Sequence, residues 1–122
     1  MTWRYEQSTG QLSLDGAVIG VGYSGHGAGL DNPALEGDRG VGPIPCGTWT
    51  VGDPKDPPDH LGPFAMPLTP DEATDTLGRS GFFIHGDNPA MDHTASDGCI
   101  ILGRVIRTQI AASADRQLEV VA

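Results

Sequence analysis

Basic residues are scarce. Seven Lys and Arg stand against sixteen Asp and Glu, a formal charge of −9. Nucleic acid is bound through a basic footprint, and this composition excludes one. The acidity reads as solubility. Cysteine is scarcer still: there are two, Cys46 and Cys99, too few for a disulfide framework. A single bridge between them would idle any nucleophile. No apolar run approaches the roughly 20 residues that span a bilayer, so no membrane span is expected. Internal repeats, low-complexity tracts and heptads are missing too. The opening Met1-Thr2-Trp3-Arg4-Tyr5-Glu6 has no basic stretch leading into an apolar one. It predicts synthesis in the cytoplasm without a cleaved signal peptide.

Gly and Pro are abundant, at 18 and 10 of 122 residues. They favour short strands and loops over long helices. The length suits one domain, 1–122, around one core.

Trp3-Arg4-Tyr5-Glu6-Gln7 and Gln11-Leu12-Ser13-Leu14-Asp15 alternate as half-buried strands do, and Ser8-Thr9-Gly10 turns between them. Residues 17–24 predict a third strand. Residues 25–46 form a Gly/Pro/Asp-rich loop too long to be a mere connector. Its apolar beads, Leu30, Leu35, Val41 and Ile44, predict packing onto the domain. Gly47–Gly52 predicts a strand, 53–62 an irregular stretch, and Phe64–Leu68 a strand ending at a proline. Thr69-Pro70-Asp71-Glu72 has the chemistry of a short helix start. Phe82–His85 and Cys99–Leu102 read as apolar strands, Gly103–Ala112 as a helix, and Leu118–Val121 as a closing strand. The predicted fold is mainly β (α+β) with one helix.

Cysteine chemistry needs a thiolate, a neighbouring base or cation, and donors for an oxyanion. His85 ends a strand at Gly86, and Cys99 follows a Ser96-Asp97-Gly98 turn. Gly98 permits close backbone approach, and amides around Gly98 and Cys99 would face an oxyanion. A lone Cys is more often a buried structural residue. Spacing alone weighs catalysis and structure evenly.

At these residues the sequence resembles the L,D-transpeptidase (YkuD-type) catalytic domain. That signature is a His followed after a loop by Ser/Thr-His-Gly-Cys; here the pieces are His85, Gly86 and Ser96-Asp97-Gly98-Cys99. Gly42-Pro43-Ile44-Pro45-Cys46-Gly47-Thr48-Trp49-Thr50-Val51 is similar to another strand of that family. The chain resembles more closely the small L,D-transpeptidase-like effectors of type VI secretion systems. Tyr23-Ser24-Gly25-His26-Gly27, Asn32-Pro33, the 78–89 stretch from Gly78-Arg79 to Asn88-Pro89, and Ser96–Leu102 carry that likeness. Asp97 departs from the general family's His. An acid there opposes thiolate formation and leaves His85 as the activating base.

The resemblance implies a β-sandwich of short strands with a helix after the catalytic Cys. His85 would take the thiol proton, with a carbonyl near Gly86 orienting the ring. Cys99 would attack the diaminopimelate carbonyl of a peptidoglycan tetrapeptide stem, expelling D-Ala. Water would then give L,D-carboxypeptidase cleavage, and an amine L,D-transpeptidase exchange. The implied partners are stem peptides, a cognate immunity protein and a secretion-apparatus component; the implied setting is the periplasm of a target bacterium. No cofactor and no metal are expected, because His-x-x-x-His and Cys-x-x-Cys spacings are lacking. Two other readings stand beside this one. The first is a non-catalytic binder of cell-wall peptides, which Asp97 favours. The second is a prophage lysis protein with the same chemistry.

Ser96, His26, Asp97, Arg104, Arg79 and Tyr23 are candidate substrate-binding residues. Arg79, Arg104 and Arg107 are weighed as carboxylate ligands against the commoner surface ion pair. Ser96 would bond either its loop or the substrate. His60 and His93 read as solvent-exposed, and Cys46 as an inert thiol.

Overall fold

The computed structural model describes residues 2–55, 62–91 and 93–122. His60 and most of the irregular 53–62 stretch lie outside them. Alternating burial along Trp3–Glu6 (β1) and Gln11–Leu14 (β2) builds the expected antiparallel hairpin, with Trp3 opposite Leu14. The expected third strand divides into Ala17–Val21 (β3) and Tyr23–Ser24 (β4). Gly22 makes the break: a Cβ there would lie 1.9 Å from the Ile101 carbonyl oxygen. Only glycine lets the chain pass so close.

Gly47–Val51 (β5), Met66–Pro70 (β6), Phe83–His85 (β7), Ile100–Ile101 (β8) and Gln117–Val121 (β9) complete the strands of the described residues. The order is β3-β2-β1-β9-β5-β6-β7-β8-β4. Its two ends, β3 and β4, are joined through Gly22. The sheet therefore curls until it is nearly closed. The fold is mostly β, as expected, with one α-helix, Arg104–Ala112 (α1), among the described residues.

The expected helix start at Thr69–Glu72 does not form. Thr69 and Pro70 extend β6 against Thr50 and Trp49, and the Asp71 amide donates to the Thr48 carbonyl at 2.8 Å. The Asp71 carboxylate accepts the Glu72 amide at 2.7 Å, closing a turn instead of capping a helix. The same pairing carries β6 past Pro67, beyond the expected end at Leu68.

The core joins Trp3, Tyr5, Leu12, Trp49, Leu118 and Val120 to Ile84 and Ile100, and Ile110 of α1 packs against them. Each such side chain contributes about 1.5–3 kcal/mol by leaving water. β7 and β8 run parallel, with Ile84 beside Ile100 and His85 beside Ile101. Ile84 and Ile100 face the core. The two-residue period of strands puts Phe83, His85, Cys99 and Ile101 on the opposite face.

Candidate active site

Cys99 enters β8 alongside Phe83. The Phe83 amide donates to its Sγ at 3.3 Å, and the Gly81 carbonyl oxygen lies 3.9 Å from it. A backbone donor aimed at sulfur favours the thiolate. His85 stands two residues further along the same face and is 3% exposed. Its Nδ1 lies 2.8 Å from the Gly86 carbonyl oxygen. A carbonyl only accepts, so Nδ1 carries the proton and Nε2 is the basic nitrogen of the neutral ring.

The turn before Cys99 is pinned from inside. Ser96, 0% exposed, accepts the Gly25 amide at 2.9 Å and the Gly98 amide at 3.1 Å. Its hydroxyl donates to the Cys99 carbonyl. Of the two roles weighed for Ser96, the loop bond is the one formed. The Gly98 amide is thereby taken, so it does not face an oxyanion as expected. Gly98 has φ +134°, and a Cβ there would lie 2.3 Å from the Arg79 guanidinium. No other residue fits. Ser24 ties the Gly98 carbonyl to the long loop: its hydroxyl donates to that carbonyl and accepts the Ile44 amide, both at 2.9 Å.

His26 is brought to this turn. Its Nδ1 lies 2.8 Å from the Ser96 carbonyl oxygen and 3.4 Å from an Asp97 carboxylate oxygen. The Asp97 side chain is 78% exposed. Water screens its charge, so it opposes a thiolate less than the sequence implied.

Arg79 is neither a surface ion pair nor an open carboxylate ligand. It is buried, and its guanidinium donates to the carbonyls of Glu36, Gly42, Pro43 and Asp97. It thus rivets the long loop to the Cys99 turn. Burial lowers its pKa from the ordinary value, and the Cys99 sulfur is the strongest influence opposing that drop. The same attraction, read from the other side, favours the thiolate.

Cys99, Arg79 and Asp97 line a cavity of about 260 Å³. His85 and Asp97 line a second, of about 310 Å³. Asp97 is the rim between them. Arg104 and Tyr23 line a third, of about 450 Å³, which shares Gly86 and Asp87 with the His85 cavity. Arg104 stacks over Phe64, 4.3 Å from the ring centre, and does not line the Cys99 cavity. The Tyr23 hydroxyl donates to Asp87 at 2.7 Å and accepts the Ala95 amide at 3.1 Å, bracing the 87–95 loop. Arg107 is buried and donates to the Leu102, Pro63 and Phe64 carbonyls. His93 is exposed, as expected, and meets the Tyr23 ring edge-on.

Two contributors escaped the sequence reading. The Phe83 amide donor depends on strand register alone. Arg39 lines the Cys99 cavity from the long loop, and no local sequence pattern marks it.

Residues 20–122 match the Tlde1 domain family. Neither a curated protein nor a solved structure matches the chain.

Proposed function

The chain belongs to the Tlde1 domain family, L,D-transpeptidase-like type VI secretion effectors directed at the cell wall, and on that premise we propose that it is a cysteine L,D-carboxypeptidase and L,D-transpeptidase of tetrapeptide stems. It acts in the periplasm of a target bacterium, and a producing cell needs a cognate immunity protein. The observation that carries this reading is the shared face of β7 and β8. It sets the Phe83 donor on Cys99 Sγ and the Gly86 carbonyl on His85 Nδ1.

In this mechanism His85 Nε2 takes the Cys99 proton and Sγ bonds to the diaminopimelate carbonyl carbon. The bond to the D-Ala nitrogen breaks, and His85 returns the proton to the departing amine. The thioester is then opened by water or by an amine, with His85 accepting the proton and restoring the thiol. Arg79 and the Phe83 amide stabilise the sulfur anion. The Ser96 hub keeps the turn rigid, so the nucleophile is preorganised.

Purified muropeptides incubated with the protein, read by mass spectrometry, test the proposal. Loss of the terminal D-Ala, or its exchange for an added D-amino acid, is expected, and neither with Cys99→Ala. Unchanged muropeptides with the wild-type protein would refute it and favour the non-catalytic binder.

A further inference from the structure

The cavity beside Cys99 has one exposed cation in its wall. Arg39 sits with Gly40 at the tip of a tight turn. The Asp38 carbonyl accepts the amides of both Val41, at 3.2 Å, and Gly42, at 2.9 Å. One guanidinium nitrogen donates to the Gly78 carbonyl at 2.8 Å, and among the described residues Arg39 has no ion pair. Arg79 cannot take the same role, because carbonyls occupy its two terminal nitrogens. It instead holds the carbonyls on both sides of Arg39, at Glu36 and at Gly42 and Pro43, together with the Asp97 carbonyl of the nucleophile turn. A buried rivet thus ties the backbone on both sides of Arg39 to the Cys99 turn. Asp97 shares the cavity wall, but its carboxylate is drawn toward His26.

We propose that Arg39 is the specificity residue for the α-carboxylate of the amino acid that leaves from, or joins, the acyl-enzyme. This rests on the reading above. D-Ala departs with a free carboxylate next to the nitrogen of the broken bond. An amino acid that attacks the thioester retraces that path and presents its carboxylate at the same place. One cation therefore selects both the substrate's terminus and the acceptor. Water carries no carboxylate and needs no such contact to open the thioester. Losing Arg39 shifts the enzyme from exchange toward hydrolysis.

The test compares wild type, Arg39→Ala and Arg39→Lys on a tetrapeptide stem and on the same stem with its terminal carboxylate amidated. Free D-Met or D-Met amide is the acceptor. Wild type is expected to prefer the free-acid stem about tenfold in kcat/KM, the worth of one charge-assisted bond. Arg39→Ala should erase that preference by losing activity on the free acid only, and should lower the exchange-to-hydrolysis ratio for D-Met but not for its amide. Arg39→Lys should recover part of both. Equal losses on the two stems, or an unchanged preference in a variant with wild-type thermal melting, would overturn the proposal. If the wild-type protein acts on neither stem, the enzymatic reading itself fails, a result distinct from activity without preference.

Discussion

The two thiols occupy opposite surroundings. Cys46 donates from its Sγ to Gln7 Oε1 at 3.3 Å, and its amide is held by the Glu36 carboxylate at 2.9 Å. Burial and that carboxylate push its pKa up to about 11. Cys99 receives a bond from the Phe83 amide and shares its cavity wall with Arg79. One sulfur has its proton held in place by an acceptor and a neighbouring anion. The other meets a donor and a cation. Reactivity is assigned by neighbours, not by residue type.

The sharpest break of the comparison is to delete each thiol. Cys99→Ala is expected to reduce muropeptide turnover by about 10³-fold or more, His85→Ala nearly as much, and Cys46→Ala not measurably. Arg79→Ala comes next. It leaves four carbonyls without their donor and loosens the turn, for a loss of about 3 kcal/mol in urea unfolding. Lys at that position cannot reproduce the fork. Alkylation by iodoacetamide sharpens the contrast. At pH 7 mass spectrometry should find Cys99 labelled first and Cys46 intact, with Cys46 labelling rising only as pH climbs toward its raised pKa. The folded state holds the Cys46 proton more tightly than the unfolded chain. Its contribution is therefore present below pH 9 and lost as pH rises toward about 11. The smallest effect is Asp97→Asn, a change in kcat/KM of about threefold or less, because the carboxylate is exposed.

Much of the fold could be read from residue order. The β1–β2 hairpin, β5, α1 and β9 follow from period and turn chemistry. Thr69–Glu72 misled because a cap and an acid serve a turn as well as a helix, and strand pairing chose between them. The split at Gly22 follows from the approach of Ile101, which no local pattern contains. At the site, His85, Gly86 and Cys99 were singled out together because they lie on two short segments, which the fold pairs as β7 and β8. Arg79 was weighed as a carboxylate ligand or a surface ion pair because no local pattern announces the four distant carbonyls it binds, and Arg104 because closeness in sequence to Cys99 does not say which cavity a side chain enters. Arg39 lies sixty residues from Cys99 in the chain, so only folding brings it to the same wall.

The parallel pairing of β1 with β9 sets an order in time. Arg4 and Glu119, 115 residues apart, are ladder partners where β1 meets β9. Closing so long a loop is slow, because its entropy is lost before any contact rewards it. β5, which reaches the β7–β8 pair through β6, has β9 as its other neighbour. By strand pairing, the β1–β2 hairpin is linked to the β7–β8 pair that carries Cys99 once β9 has docked between β1 and β5.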